Sequence, residues 1–83
     1  MSKALKIAEK LIGNLAGLKE GVTVIFDSKY PNPDRRSLNG IECRIIDWVS
    51  NPSAGYPLNI AVCLQFTDDL RKTYAALDEF YFP

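Results

Sequence analysis

The sequence predicts a mainly β fold, one N-terminal α-helix followed by five strands curled into a small barrel. Two observations carry this. A 3.6-residue apolar period is confined to residues 3 to 16, and beyond Gly21 apolar and polar residues alternate in short runs of strand length. Turn-forming stretches separate the runs, among them Asn39-Gly40, Ser50 to Pro57 and Thr67 to Leu70. A chain of 83 residues is read as one domain over 1–83, with the helix over 3–17 and the barrel over 21–83, and it can bury only a modest core.

In the helix, Ala4, Leu5, Ile7, Ala8, Leu11, Ile12, Leu15 and Ala16 fall on one half of the wheel. Lys3, Lys6, Glu9, Lys10 and Asn14 fall on the other. Ser2 is placed to cap the start and Gly17 to end it. The apolar face must be covered, either by packing on the barrel or as a dimer seam through Leu5, Leu11, Ile12 and Leu15, and intramolecular packing is the preferred reading.

The first strand is Val22 to Phe26, with Val22, Val24 and Phe26 facing the core. A long irregular segment follows, Asp27 to Asn39. Pro31 and Pro33 fix φ there and bias their predecessors to extended shapes, so Tyr30 to Asp34 is expected as a stiff exposed loop presenting Tyr30, Arg35 and Arg36. The second strand runs from Ile41 to Val49, with Ile41, Cys43 and Ile45 on one face and Glu42, Arg44, Ile46 and Trp48 on the other. In the third, Leu58 to Phe66, the core face is Leu58, Ile60, Val62, Leu64 and Phe66, leaving Asn59, Ala61, Cys63 and Gln65 to face away. Arg71 to Ala75 forms the fourth strand, Ala76 to Glu79 a single helical turn, and Phe80 to Phe82 the last strand.

Helix apart, the order of strand, long loop, strand, medium loop, strand, tight turn, strand, one-turn helix and strand resembles the SH3-like barrel. Within that fold, Tyr56-Pro57, Phe66 and Ala76-Leu77-Asp78-Glu79 look like the end of photosystem I reaction-centre subunit IV. That family is non-catalytic and helps to dock a partner electron carrier; the resemblance implies that Pro57 starts a strand and Leu77 plugs the barrel. It covers about a third of the chain. The N-terminal helix, the proline-rich loop and the zero net charge depart from the family, so its photosynthetic role is not carried over. Gly40, Ile45, Trp48 and Ala75-Ala76-Leu77 are similar to elements of the type II dihydrofolate reductases, small SH3-like tetramers. The ligand-contacting segment of those enzymes would fall near Asp69 to Lys72, and these residues do not match it.

Function is bounded mainly by absences. With no histidine, the commonest general base, the usual triads and most zinc or iron sites are missing, so no enzymatic activity, cofactor or metal is expected. Cys43 and Cys63 lie in strands on opposite-facing sets, without metal or redox spacing, and are expected unpaired in a reducing compartment. Asp68-Asp69 and Asp78-Glu79 are expected to solvate turns. The start is not a signal peptide and no run reaches membrane length, so a cytoplasmic protein is expected.

Ten basic and ten acidic residues cancel, with a basic excess before residue 45 and an acidic one after it. The expected function is therefore a non-enzymatic protein–protein interaction module, a small subunit, adaptor or inhibitor of a larger complex. Tyr30, Arg35, Arg36, Trp48 and Tyr56 are the expected partner-binding residues, since amphipathic rings and arginines favour interfaces. The alternative is a nucleic-acid-associated SH3-like domain that sets Lys3, Lys6, Lys10, Arg35, Arg36 and Arg44 against phosphate. Small neutral chains of this kind also suit accessory proteins of phages or mobile elements.

Overall fold

The computed structural model describes residues 3–50 and 55–83. Ser2, the middle of the loop after the second strand, and the side chains of Lys3, Ala4, Leu5 and Ile7 lie outside the described residues. The elements are α1 (Lys3–Ala16), β1 (Thr23–Phe26), α2 (Pro33–Arg36), β2 (Glu42–Ser50), a 3-10 turn (Pro57–Asn59), β3 (Ile60–Phe66), β4 (Lys72–Ala75) and β5 (Phe80–Tyr81). The five strands form one antiparallel sheet in the order β4-β3-β2-β1-β5. This is compatible with an SH3-like barrel, but β4 and β5 are its edges and no pairing closes the sheet between them.

The core follows the alternation. Val24 and Phe26 from β1, Cys43 and Ile45 from β2, and Val62, Leu64 and Phe66 from β3 are buried in one cluster with Ala75, Leu77 and Phe80. Leu77, the residue expected to plug the barrel, has no exposed surface and belongs to this cluster. Phe26 and Phe66 meet edge to face with centroids 6.3 Å apart.

Helix α1 packs on the core of its own chain, but not by its apolar stripe alone. Leu11 packs against the core, whereas Ile12 is 61% exposed and Leu15 is exposed as well. Asn14, expected on the solvent side, is instead 7% exposed, and its amide donates to Leu77 O at 2.6 Å and Phe80 O at 2.9 Å. Buried carbonyls that no strand pairs must find a donor, and that demand overrides the wheel. Gly17 follows, and a Cβ there would lie 2.6 Å from the Phe82 ring, so a larger residue would have to displace that ring.

Two expectations for the strands fail for backbone reasons. The register of β2 against β3 shifts between Ile45 and Asp47, so Ile46 is an inserted residue. Trp48 then pairs with core-facing Val62 and shares the face of Ile45, which strict alternation cannot anticipate. It stands 38% exposed at the rim. Leu58 does not begin β3; Pro57 opens the 3-10 turn, in which Asn59 N–H donates to Tyr56 O at 2.9 Å. Leu58 sits at φ +53°, half exposed, outside the core. Ala61 and Cys63, expected to face outward, are buried, small residues flanked in register by Val49 and by Asp47 and Tyr74.

Leu70 occupies the left-handed position of the β3–β4 turn, at φ +63° and 67% exposed, where its N–H donates to Phe66 O at 3.0 Å. A branched side chain there is strained by roughly 1–2 kcal/mol, and so little of it is buried that packing cannot offset the strain. Leu70→Gly is therefore expected to raise stability by about 1 kcal/mol, read as a higher urea midpoint with an unchanged slope. A lower midpoint would mean that the leucine packs on Phe66 more than its exposure suggests.

Candidate interaction cleft

The long loop from Asp27 to Asn39 is held at both ends. Ser28 N–H donates to Asn39 Oδ1 at 2.7 Å, and Asn39 Nδ2 donates back to Ser28 O at 3.0 Å. The middle is ordered by a short helix not expected from the sequence. Asn32 caps it, its Oδ1 accepting from Asp34 N at 3.0 Å and Arg35 N at 3.3 Å, and Pro33 supplies the preset φ of the first turn. Asn-Pro-Asp is the signal that would have revealed it.

This cap fixes where Arg35 points. Its Nε lies 2.7 Å from Glu79 Oε2 and its Nη2 2.9 Å from Glu79 Oε1, a two-point ion pair. Nη2 also donates to Tyr74 O at 3.1 Å, and the guanidinium lies 5.3 Å from the centroid of the Phe26 ring. Glu79 is 3% exposed, and its Oε1 accepts a further bond from Ala76 N at 2.9 Å. The expectation that Glu79 solvates a turn is thus overturned. Arg35 is engaged within the chain, while Arg36 is exposed and makes no ion pair among the described residues.

Tyr30 is the second latch. Its hydroxyl donates to Asp78, 3.0 Å from Oδ1 and 3.1 Å from Oδ2. Burial, then the hydrogen bond and charge of Asp78 and the charge of Glu79, push the phenol up to about 12 against the opposing pull of Arg35. Below that pH the ring remains a neutral donor.

Between this loop and the start of the 3-10 turn lies a cleft of about 170 Å³ lined by Tyr30, Gly55, Tyr56, Pro57, Ala76 and Glu79. The expected gathering of Tyr30 with Tyr56 is therefore present, and Arg35 stands behind it through Glu79. Trp48 and Arg36 do not line it. A second depression, of about 190 Å³, is lined by Arg44, Gln65, Phe66, Thr67 and Leu70 and has Phe66 as its one aromatic residue. Of the cations in the phosphate-binding alternative, Arg35 is neutralised by Glu79, whereas Lys6, Arg36 and Arg44 are exposed.

Elsewhere reactive groups are quiet. Cys43 and Cys63 are free and buried; burial pushes the Cys43 thiol up to about 11 and raises Cys63 too, so neither favours its thiolate. Among the described residues no group of three or more His, Cys, Asp or Glu could hold a metal ion, and no helix is long and apolar enough to cross a membrane. Set against family models, curated proteins and solved structures, the chain matches none, so its two local likenesses rest on their short motifs alone.

Proposed function

We propose that the chain is a non-enzymatic protein-interaction module, an SH3-like barrel with an attached amphipathic helix, which binds its partner in the Tyr30–Tyr56 cleft. It acts as a small subunit, adaptor or inhibitor of a larger complex. The observation that carries this reading is the latched loop: Asn39, Arg35 and Tyr30 hold one wall of the cleft before any partner arrives. Ordering a loop on binding costs free energy, and a wall already fixed avoids that cost. An exposed tyrosine, Tyr30, and a half-buried one, Tyr56, each followed by a proline, are suited to anchoring a partner with little loss of side-chain entropy.

The test is capture of partners by the tagged chain from host lysate at low and high salt, with and without nuclease, beside Tyr56→Ala. A defined protein should survive both treatments and lose about tenfold or more in affinity with Tyr56→Ala, the effect of truncating a central aromatic anchor. Capture that disappears with salt or nuclease would instead assign the chain to nucleic acid, through Lys6, Lys10, Arg36 and Arg44. Arg35 is unsuited to this test, because removing it leaves Glu79 buried without its partner.

A further inference from the structure

We infer that the cleft receives a basic side chain, arginine or lysine, presented by an extended segment of the partner protein. The inference rests on the reading of the cleft as the interaction site and adds the chemistry of its occupant. Two tyrosine rings and a proline supply its apolar surface; one carboxylate, Glu79, is in its lining, and a second, Asp78, accepts from the hydroxyl of Tyr30, which lines it. One cation, Arg35, pairs with them, and both of its contacts to carboxylate oxygen are on Glu79. Among the described residues one negative charge, that of Asp78, is left without a counter-ion.

Asp78 is also pre-positioned to take one. A carboxylate has about four acceptor sites, and a single phenol proton shared between both oxygens leaves most of them open. The electrostatics agree with the count: at the Tyr30 hydroxyl the two carboxylates outweigh Arg35. An aliphatic occupant would desolvate Asp78 without compensation, and an acidic one would meet a like charge. A cation over a tyrosine face gains from both the ring and the carboxylate. The cleft volume suits one side chain, so the remainder of the segment would lie across its rim.

The test is a titration of the 15N-labelled full chain with capped pentapeptides Gly-Ser-X-Ser-Gly in which X is Arg, Lys, Leu or Glu. The Arg and Lys peptides should shift the amides of Gly55, Tyr56, Ala76 and Glu79 saturably, and bind roughly 3- to 30-fold more tightly than the Leu peptide, as one cation–π contact would provide. Asp78→Asn, which keeps an acceptor for Tyr30, should erase that preference, and Tyr56→Ala should weaken every peptide. A Leu peptide that binds as well as the Arg peptide, or a set of peptides that leaves these amides unmoved, overturns the inference. The reading of the cleft as the interaction site falls separately, if Tyr56→Ala leaves capture of the partner unchanged.

Discussion

Arg35→Ala is expected to cost about 3–5 kcal/mol of stability, the range for removing one partner of a buried ion pair. The side chain leaves behind a carboxylate that is 3% exposed and otherwise held by a single backbone N–H, that of Ala76. It also deprives the Tyr74 carbonyl on the edge of β4 of the closer of its two donors and uncovers the Phe26 ring. An 83-residue domain has on the order of 4–12 kcal/mol in all, so this variant should be marginal at 25 °C. Urea unfolding measures it. Two comparisons give the result its meaning. Arg36→Ala, an exposed neighbour on the same short helix, should change stability by no more than about 0.5 kcal/mol. The double variant Arg35→Met with Glu79→Gln should recover much of the loss, because it removes both charges and keeps an acceptor for Ala76 N–H. If Arg35→Ala unfolds within about 1 kcal/mol of the parent chain, water reaches Glu79 and the pair is an ordinary surface contact.

The importance of that pair comes from the topology. A closed barrel satisfies its edges with ladder hydrogen bonds, whereas here the outer edges of β4 and β5 have no strand partner. Side chains take over. Arg35 serves the Tyr74 carbonyl, Glu79 the Ala76 N–H, and Asn14 the carbonyls of Leu77 and Phe80. Polar side chains from the long loop, the last turn and the helix thus satisfy backbone groups along and beside the open edges of the sheet. The loop latched in this way is also the wall of the cleft, so the bonds that finish the fold also fix the binding surface.

The strands were legible because their buried faces alternate, and Val24, Cys43 and Leu64 are placed by period alone. Tyr30 and Tyr56 were legible as a pair because both flank prolines in loops that this strand order brings to one end. What was not legible depends on long-range or unusual backbone geometry. No periodicity announces an inserted residue, so the side of Trp48 was lost at Ile46. Pro57 fits a strand start and a 3-10 turn equally well, which misplaced Leu58. Asp78-Glu79 reads as a solvated turn until Arg35, 44 residues away, is placed beside it. The one missed feature with a local signature is the Asn32-capped helix.

Asn14→Leu is expected to cost about 3 kcal/mol. An amide in a helix interior is a poor helix former, and leucine is among the better ones, so local propensity alone predicts a gain of a few tenths. The tertiary term opposes it and is larger. Two buried carbonyls, Leu77 O and Phe80 O, lose their donor, each at about 1–3 kcal/mol, and a leucine of similar bulk leaves no room for water to replace it. Ile12→Ala supplies the contrast. Its side chain is 61% exposed, so truncation should change stability by no more than about 0.5 kcal/mol, although it is the more hydrophobic residue. Urea midpoints of the two variants therefore decide what seats α1. If Ile12→Ala is the more damaging, the helix is held by its apolar stripe and the outward face of Ile12 and Leu15 is an interior. If Asn14→Leu is the more damaging, α1 is fixed to the end of its own sheet by polar bonds, and that stripe stands free for a second contact.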